Sequence, residues 1–474
     1  MTASERRVVI IGGGLAGLAA AVALAERQIP AVVLESRPRL GGRASSFLDS
    51  TTQSYVDNCQ HVTMGCCTNF AHFIRTIGLE HGFRRERTLH FIGPSGHPDR
   101  FEATNWPCPF HLAAAFRRLS YLTWRDKWAI ARGLRELAKP KQALREDMPF
   151  SEWLRESRQP AGAVNGFWQV VLVSALSESL ERISVPAARK VFVDGFLRHR
   201  DGWVVDIPTV PLEELYGSRL IGWLSARGVE VRLQAGVEHL ESVGGRIESL
   251  LLRDGSRMQG DEFVLAVPWQ RVADMMPEIL RSHPAVTDLA KLESAPISSL
   301  HLWLDRPITD LPHAVLVGRL SQWLFNRTAI AAGSADAASK SNEYYYQIVI
   351  SASRELATLS AEEVERHVLA ELADIWPQAR AANVLHRRLV TEHRAVFSVQ
   401  PGAERYRPEQ QSPVENLQWA GDWTRTGWPA TMEGAVRSGY LAAENVLRRL
   451  GRAEKLVRPD LPTSFWSRWL LRIS

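Results

Sequence analysis

Val8-Val9-Ile10-Ile11-Gly12-Gly13-Gly14-Leu15-Ala16-Gly17 is the stretch on which the fold turns. The β-branched run Val8 to Ile11 suits a buried parallel strand. Gly12-x-Gly14-x-x-Gly17 suits a tight turn, and the alanine-rich run from Leu15 to about Arg27 suits a helix. Each glycine has its own reason. The first makes the turn, the second lets backbone approach phosphate with no Cβ in the way, and the third lets helix and strand sit close. A second strand-like run, Ala31 to Glu35, follows at once, and Glu35 stands 18 residues past Gly17. A carboxylate about 20 residues downstream is the one that accepts from a ribose hydroxyl. Strand, turn, helix, strand, with the helix N-terminus facing a pyrophosphate, predicts an α/β, Rossmann-like dinucleotide-binding unit. Leu15 and Ala16 in the first helical turn, and Ser36 and Arg37 beside the carboxylate, complete the contacts assigned at this end.

Arg6 and Arg7 followed by an apolar run to Ala25 also have the outline of a secretory or twin-arginine signal. The clustered glycines and the prompt second strand decide against it. No other stretch reaches the ~18 consecutive apolar residues of a membrane-spanning helix. The 474 residues are too many for one core, so two domains are expected. Composition, 45% hydrophobic and 23% charged, is that of a globular protein. The net charge of +5 is spread along the chain, which gives no support to nucleic-acid binding and leaves attraction to an anionic membrane open. Cys59, Cys66, Cys67 and Cys108 are the only cysteines, and adjacent Cys66 and Cys67 make an ordinary disulfide implausible. A reduced, cytoplasmic compartment is the simpler reading. No metal-ligand set is assigned.

Pro38-Arg39-Leu40-Gly41-Gly42-Arg43 follows the ribose carboxylate, with two glycines for close backbone approach and an arginine that can reach phosphate. Gly12 through Gly42-Arg43 resembles the opening of the amine oxidase and phytoene desaturase superfamily of flavoproteins. The resemblance implies non-covalently bound FAD, with Arg43 near its pyrophosphate and ring system. It also assigns Val237, among short strands with turns at Gly244-Gly245 and Asp254-Gly255, to the adenine. The block Trp419 to Ala435 supplies the far half of the site. Gly421 and Asp422 follow a strand and offer a carboxylate to the ribityl hydroxyls, while Ala430, Thr431 and Met432 open a helix toward the flavin carbonyls. No cysteine lies near this block, which excludes covalent attachment there.

These pieces place a discontinuous FAD-binding domain at 1–84, 221–289 and 411–453. An interleaved α+β substrate domain takes 85–220 and 290–410, and 454–474 forms a C-terminal tail. Ala113 to Leu137 reads as one basic, tryptophan-bearing amphipathic helix suited to a membrane surface, or equally as a solvated basic face. Phe465 to Arg472 is a second such candidate, or a packed tail. Among sixteen tryptophans, Trp168, Trp323 and Trp428, with Trp203 and Trp303, fall on segments expected to line a substrate pocket.

Asp57-Asn58-Cys59-Gln60-His61-Val62, the helix Phe167 to Ser184, Gln322 to Arg327 and the run Gly421 to Gly439 resemble a narrower branch, the squalene-associated FAD-dependent desaturases that include the hydroxysqualene dehydroxylases of hopanoid biosynthesis. Cys59 and Ser177 depart from its pattern, standing where glycine and asparagine are expected. The branch implies a long isoprenoid hydrocarbon as substrate and reductive replacement of an allylic hydroxyl by hydrogen; a substrate that resides in lipid suits a peripheral position on the inner membrane face. It leaves the reductant unknown. His61 is the first candidate for the acid that meets the leaving hydroxyl and Gln60 for its orienting partner; both also suit plain hydrogen bonding to flavin or backbone. Rival readings are a carotenoid-type desaturase, an amine oxidase, and a non-catalytic prenyl-lipid escort.

Overall fold

The computed structural model describes residues 7–332 and 343–473. A five-stranded parallel sheet runs in the spatial order Val229–Arg232, Ala31–Leu34, Val8–Ile11, Glu262–Leu265, Leu417–Trp419. Val8 pairs with Ala31 on one side and Glu262 on the other, and all four residues of the Val8–Ile11 strand are buried. That is why the strand is apolar throughout rather than alternating. Helix Leu15–Ala25 is buried along its whole length. Helix Met432–Arg449 crosses it closely: a Cβ on Gly439 would come within 2.2 Å of the Ala16 carbonyl. The α/β, Rossmann-like expectation therefore holds. Val237–Val243, Arg246–Leu252 and Arg257–Gln259 form a three-stranded antiparallel sheet, turning at Gly244 and Gly245, both with positive φ.

A seven-stranded sheet forms the second body. Its order is Val384–Phe397, Ser294–Leu304, Tyr344–Ser351, Trp323–Asn326, His313–Leu316, Thr88–Ile92, Pro98–Glu102. Its pairs are antiparallel except the one between His313–Leu316 and Thr88–Ile92. Helix Ala361–Ile375 shares a core with Leu300, Leu302 and Ile348 of this sheet.

Two helices differ from the sequence expectation. Ala113 to Leu137 is two helices, Ala113–Arg118 and Trp124–Leu137. Thr123 Oγ1 accepts from the Asp126 N–H and Asp126 accepts from the Thr123 N–H, a capping box that starts a new helix where apolar periodicity alone reads continuity. The Phe167–Ser184 helix stops at Leu176, because Ser177 takes a left-handed φ of 54°.

Candidate functional site

The glycine turn is shaped by two close approaches and one open position. A Cβ on Gly12 would meet the Ala266 carbonyl oxygen at 2.5 Å, and one on Gly17 would meet the Gly12 oxygen at 2.0 Å. Gly14 is different: its nearest neighbour would be Gly42 Cα at 3.9 Å, so this position is open. Gly14 is also the N-cap of helix Leu15–Ala25, and no side chain caps the helix there. The first-turn N–H groups are left for an anion.

Glu35, just past its strand, is buried and fixed by backbone. Its carboxylate accepts from the Gly13 N–H at 2.8 Å, the Arg37 N–H at 2.7 Å and Ser36 Oγ at 3.1 Å. The Ala235 N–H donates to the Glu35 carbonyl and the Gln234 N–H to the Arg37 carbonyl, which draws buried Val237 toward the same end. On the other side, Arg43 donates to Asp422 Oδ1 at 2.5 Å and to the Ala395 carbonyl at 2.8 Å. Burial works against the Arg43 charge, but the neighbouring Asp422 carboxylate leaves its pKa raised. Thr431 caps helix Met432–Arg449, its Oγ1 accepting from the Gly434 N–H at 3.0 Å. Met432 begins that helix and Ala430 precedes its cap.

Arg407, which the sequence reading passes over, clamps the loop that carries Asp422. Its buried guanidinium donates to the carbonyls of Asp422 at 3.1 Å, Thr424 at 2.5 Å and Trp428 at 2.9 Å. Glu433 is a second omission. It accepts from the Asn69 and Phe70 N–H groups at 3.1 and 2.7 Å, which ties the last long helix to Thr68–Thr76.

Segment 58–62 joins this site to a cavity of about 430 Å³. Phe91, Val315, Trp323 and Val349 line it from the seven-stranded sheet, and Phe116, Phe167 and Phe192 from the helices opposite. Trp203 lines it as well. Its few polar side chains include Gln60, Tyr121, Ser174, Ser351 and Arg135, with Trp323 Nε1 donating to Ser174 Oγ at 2.9 Å. Trp168 and Trp428 do not line it. Trp168 is fully buried in an aromatic core with Phe150, Trp153 and Phe192, its Nε1 spent on Gln159. Trp428 lies under the Lys190 and Arg437 cations beside a smaller, more polar pocket of about 170 Å³. Trp303 stacks on Tyr345 at 4.5 Å, also away from the cavity.

Gln60 and His61 part company. Arg327 Nη1 donates to Gln60 Oε1 at 3.0 Å and to the Pro208 carbonyl at 2.7 Å. Because a guanidinium only donates, the Gln60 oxygen faces it and the amide NH₂ faces away. His61 Nδ1 is 2.9 Å from the Cys59 carbonyl, so Nδ1 carries the hydrogen and Nε2 is left as an acceptor. Burial lowers the His61 pKa, with the Arg43 charge adding to it. A neutral imidazole in this tautomer presents an acceptor at Nε2, which suits a base better than an acid. Burial pushes the Cys59 thiol up to about 12, which makes it an inert neighbour.

Against known proteins, the flavin containing amine oxidoreductase profile matches residues 15–447. The chain belongs to that family. It is 27% identical over 467 residues to the 15-cis-phytoene desaturase of Synechococcus elongatus, covering 94% of this chain and 96% of that one. It is also 27% identical over 476 residues to the chloroplastic/chromoplastic 15-cis-phytoene desaturase of Solanum lycopersicum, covering 94% and 79%. In fold it is similar to the putative protoporphyrinogen oxidase of Exiguobacterium sp. 255-15, with a TM-score of 0.68, 18% identity, and 94% and 99% coverage.

Membership of the flavin containing amine oxidoreductases makes this an FAD-dependent oxidoreductase. The residues present fit the cofactor. Open Gly14 and the uncapped N-terminus suit the pyrophosphate, and Glu35 keeps lone pairs for ribose after its three donors. Asp422 has Oδ1 on Arg43, an ion pair not anticipated from sequence, and Oδ2 is the oxygen that would accept from a ribityl hydroxyl. When bound, FAD supplies a two-electron hydride couple.

Proposed function

We propose that this flavoprotein acts on a long isoprenoid hydrocarbon, and that its reaction is the reductive removal of the hydroxyl of hydroxysqualene. Hydroxysqualene, two electrons and two protons give squalene and water. The observation that carries the substrate class is the 430 Å³ cavity, apolar over nearly all its lining, whose lining includes Gln60 and Val62 of the segment in which Asn58 Nδ2 donates to the Arg43 carbonyl. A flexible hydrocarbon gains about 0.8 kcal/mol for each buried CH₂ in such a place. An ammonium would be stripped of water there with no carboxylate among the lining residues to pair with, which argues against an amine substrate.

The hydroxyl is what the polar end of the cavity suits. With its oxygen turned to Arg327, the Gln60 amide offers N–H donors to a substrate oxygen; one has only a long 3.4 Å partner in the His61 carbonyl. A donor aimed at an oxygen that gains negative charge as its C–O bond breaks stabilises the transition state more than the ground state. Dry walls keep water from a cationic carbon. The resemblance of segments 57–62 and 421–439 to the squalene-associated branch supports the same assignment.

A second reading is desaturation of a phytoene-like polyene, favoured by the two phytoene desaturases at 27% identity and by a probable zeta-carotene desaturase of Synechococcus elongatus at 25%. Extracting products after anaerobic incubation separates the two. Squalene formed from hydroxysqualene by the dithionite-reduced protein supports the first; a more unsaturated product formed from phytoene by the oxidised protein, with hydroxysqualene untouched, replaces it by the second.

A further inference from the structure

Two segments far apart in sequence frame the open side of the apolar cavity. Helix Trp124–Leu137 places Trp124, Trp128, Ala131 and Arg135 at steps of four, three and four, which is one face of a helix. Ala131 and Arg135 line the cavity, while Trp124 and Trp128 are 65% and 76% exposed. The short helix Phe465–Leu471 docks beside it. Ser464 Oγ donates to the Cys108 carbonyl at 2.9 Å, and Ile473 is buried with Ala138, the residue that follows the first helix. Leu471 lines the same cavity, as does Phe110. Trp469, 67% exposed, meets Trp466 edge-on at 6.2 Å.

Arg125, Arg135 and Arg468 are exposed on these helices, and Arg472 is exposed just past the end of the second. Among the described residues none of them makes an ion pair. Large aromatic side chains held in water beside unneutralised arginines are the composition of a headgroup contact: rings at the interface, cations on anionic lipid. No helix among the described residues is long and apolar enough to cross a membrane, so the contact is one of surface attachment.

We infer that this face seats on the headgroup layer of an anionic membrane with the cavity mouth turned to the acyl chains. A lipid-dissolved substrate then reaches the cavity without crossing water, a consequence that rests on the isoprenoid reading. The attachment itself rests only on the exposed side chains and their place at the mouth.

The test is co-sedimentation of the full, FAD-containing chain with phosphatidylcholine vesicles, with and without phosphatidylglycerol. Three variants are compared: Trp124→Ser with Trp128→Ser, Trp466→Ser with Trp469→Ser, and the exposed Ile279→Ser as control. The proposal requires binding to the phosphatidylglycerol vesicles that weakens with salt, falls about tenfold or more in each tryptophan pair, and is unchanged in the control. Absence of vesicle binding overturns it. So does unchanged binding by either tryptophan pair, or self-association that the pairs abolish while lipid binding stays absent. Because no turnover is read, these outcomes are independent of whether hydroxysqualene is the substrate.

Discussion

Arg43 and Asp422 are 379 residues apart in sequence and 2.5 Å apart in space, Nη2 to Oδ1. The pair closes the two ends of the chain around one site, and Asp422 is buried while Arg43 is only partly so. Removing the cation leaves an uncompensated buried carboxylate, a loss of about 3 kcal/mol. Arg43→Met is therefore expected to lower both the urea midpoint of the FAD-free protein and the FAD-to-protein ratio after purification. Adding Asp422→Asn should restore about 1 kcal/mol or more of that stability. A double variant as unstable as the sum of the singles would show that the two do not interact.

Arg407 makes a sharper case, because all its loop partners are carbonyls. Arg407→Met orphans acceptors at Asp422, Thr424 and Trp428 together, and is expected to cost about 3 kcal/mol with loss of bound FAD. Arg407→Lys, a point charge that lacks the planar fork, should recover less than half of this loss. Thermal melts with and without added FAD measure both.

The orientation of Gln60 by Arg327 predicts a coupled effect on turnover. Gln60→Leu and Arg327→Met should each lower the rate of hydroxysqualene consumption roughly 100-fold at unchanged FAD content. The double variant should fall no further than either single. If Gln60→Leu slows the enzyme and Arg327→Met does not, the guanidinium is structural only.

Acid should destabilise the fold before its carboxylates titrate. Burial pushes His301 and His313 down to about 3 and His72 and His111 to about 4. Unfolded imidazoles titrate near ~6.5. Below that pH the unfolded chain binds protons the folded chain refuses, so stability is complete above ~6.5 and falls as pH drops toward the folded values. Urea midpoints should therefore be flat from about pH 8 to 7 and decline from about pH 6 to 4.5. His313→Leu should make the decline shallower; an unchanged slope would remove His313 from the account.

The nucleotide end was legible because its constraints are local. Gly17 leaves no room for a Cβ against the Gly12 carbonyl, and Glu35 is fixed by the Arg37 N–H of its own turn and the Gly13 N–H of the same β-α-β unit, so spacing carries them. The Gly421-Asp422 loop and the Thr431 cap are local in the same way. What failed to show is tertiary. A tryptophan reads the same whether it fills a core, as Trp168 does, or walls a cavity, as Trp323 does. Arg407 and Arg327 grip backbone carbonyls, which leave no signature in side-chain sequence. The Thr123–Asp126 capping box was present as residues but masked by periodicity that runs on through the break. The His61 tautomer depends on a carbonyl that only the folded turn places 2.9 Å away.

The central claim, that a long isoprenoid is the redox partner of this FAD site, is tested most directly by following flavin absorbance anaerobically. The protein is reduced with dithionite, excess reductant is removed, and hydroxysqualene is added in detergent. The account predicts return of the oxidised spectrum with squalene formed in equal amount. A flavin that stays reduced with hydroxysqualene, and stays oxidised when the untreated protein meets phytoene, yet is bleached by a simple amine, would contradict it.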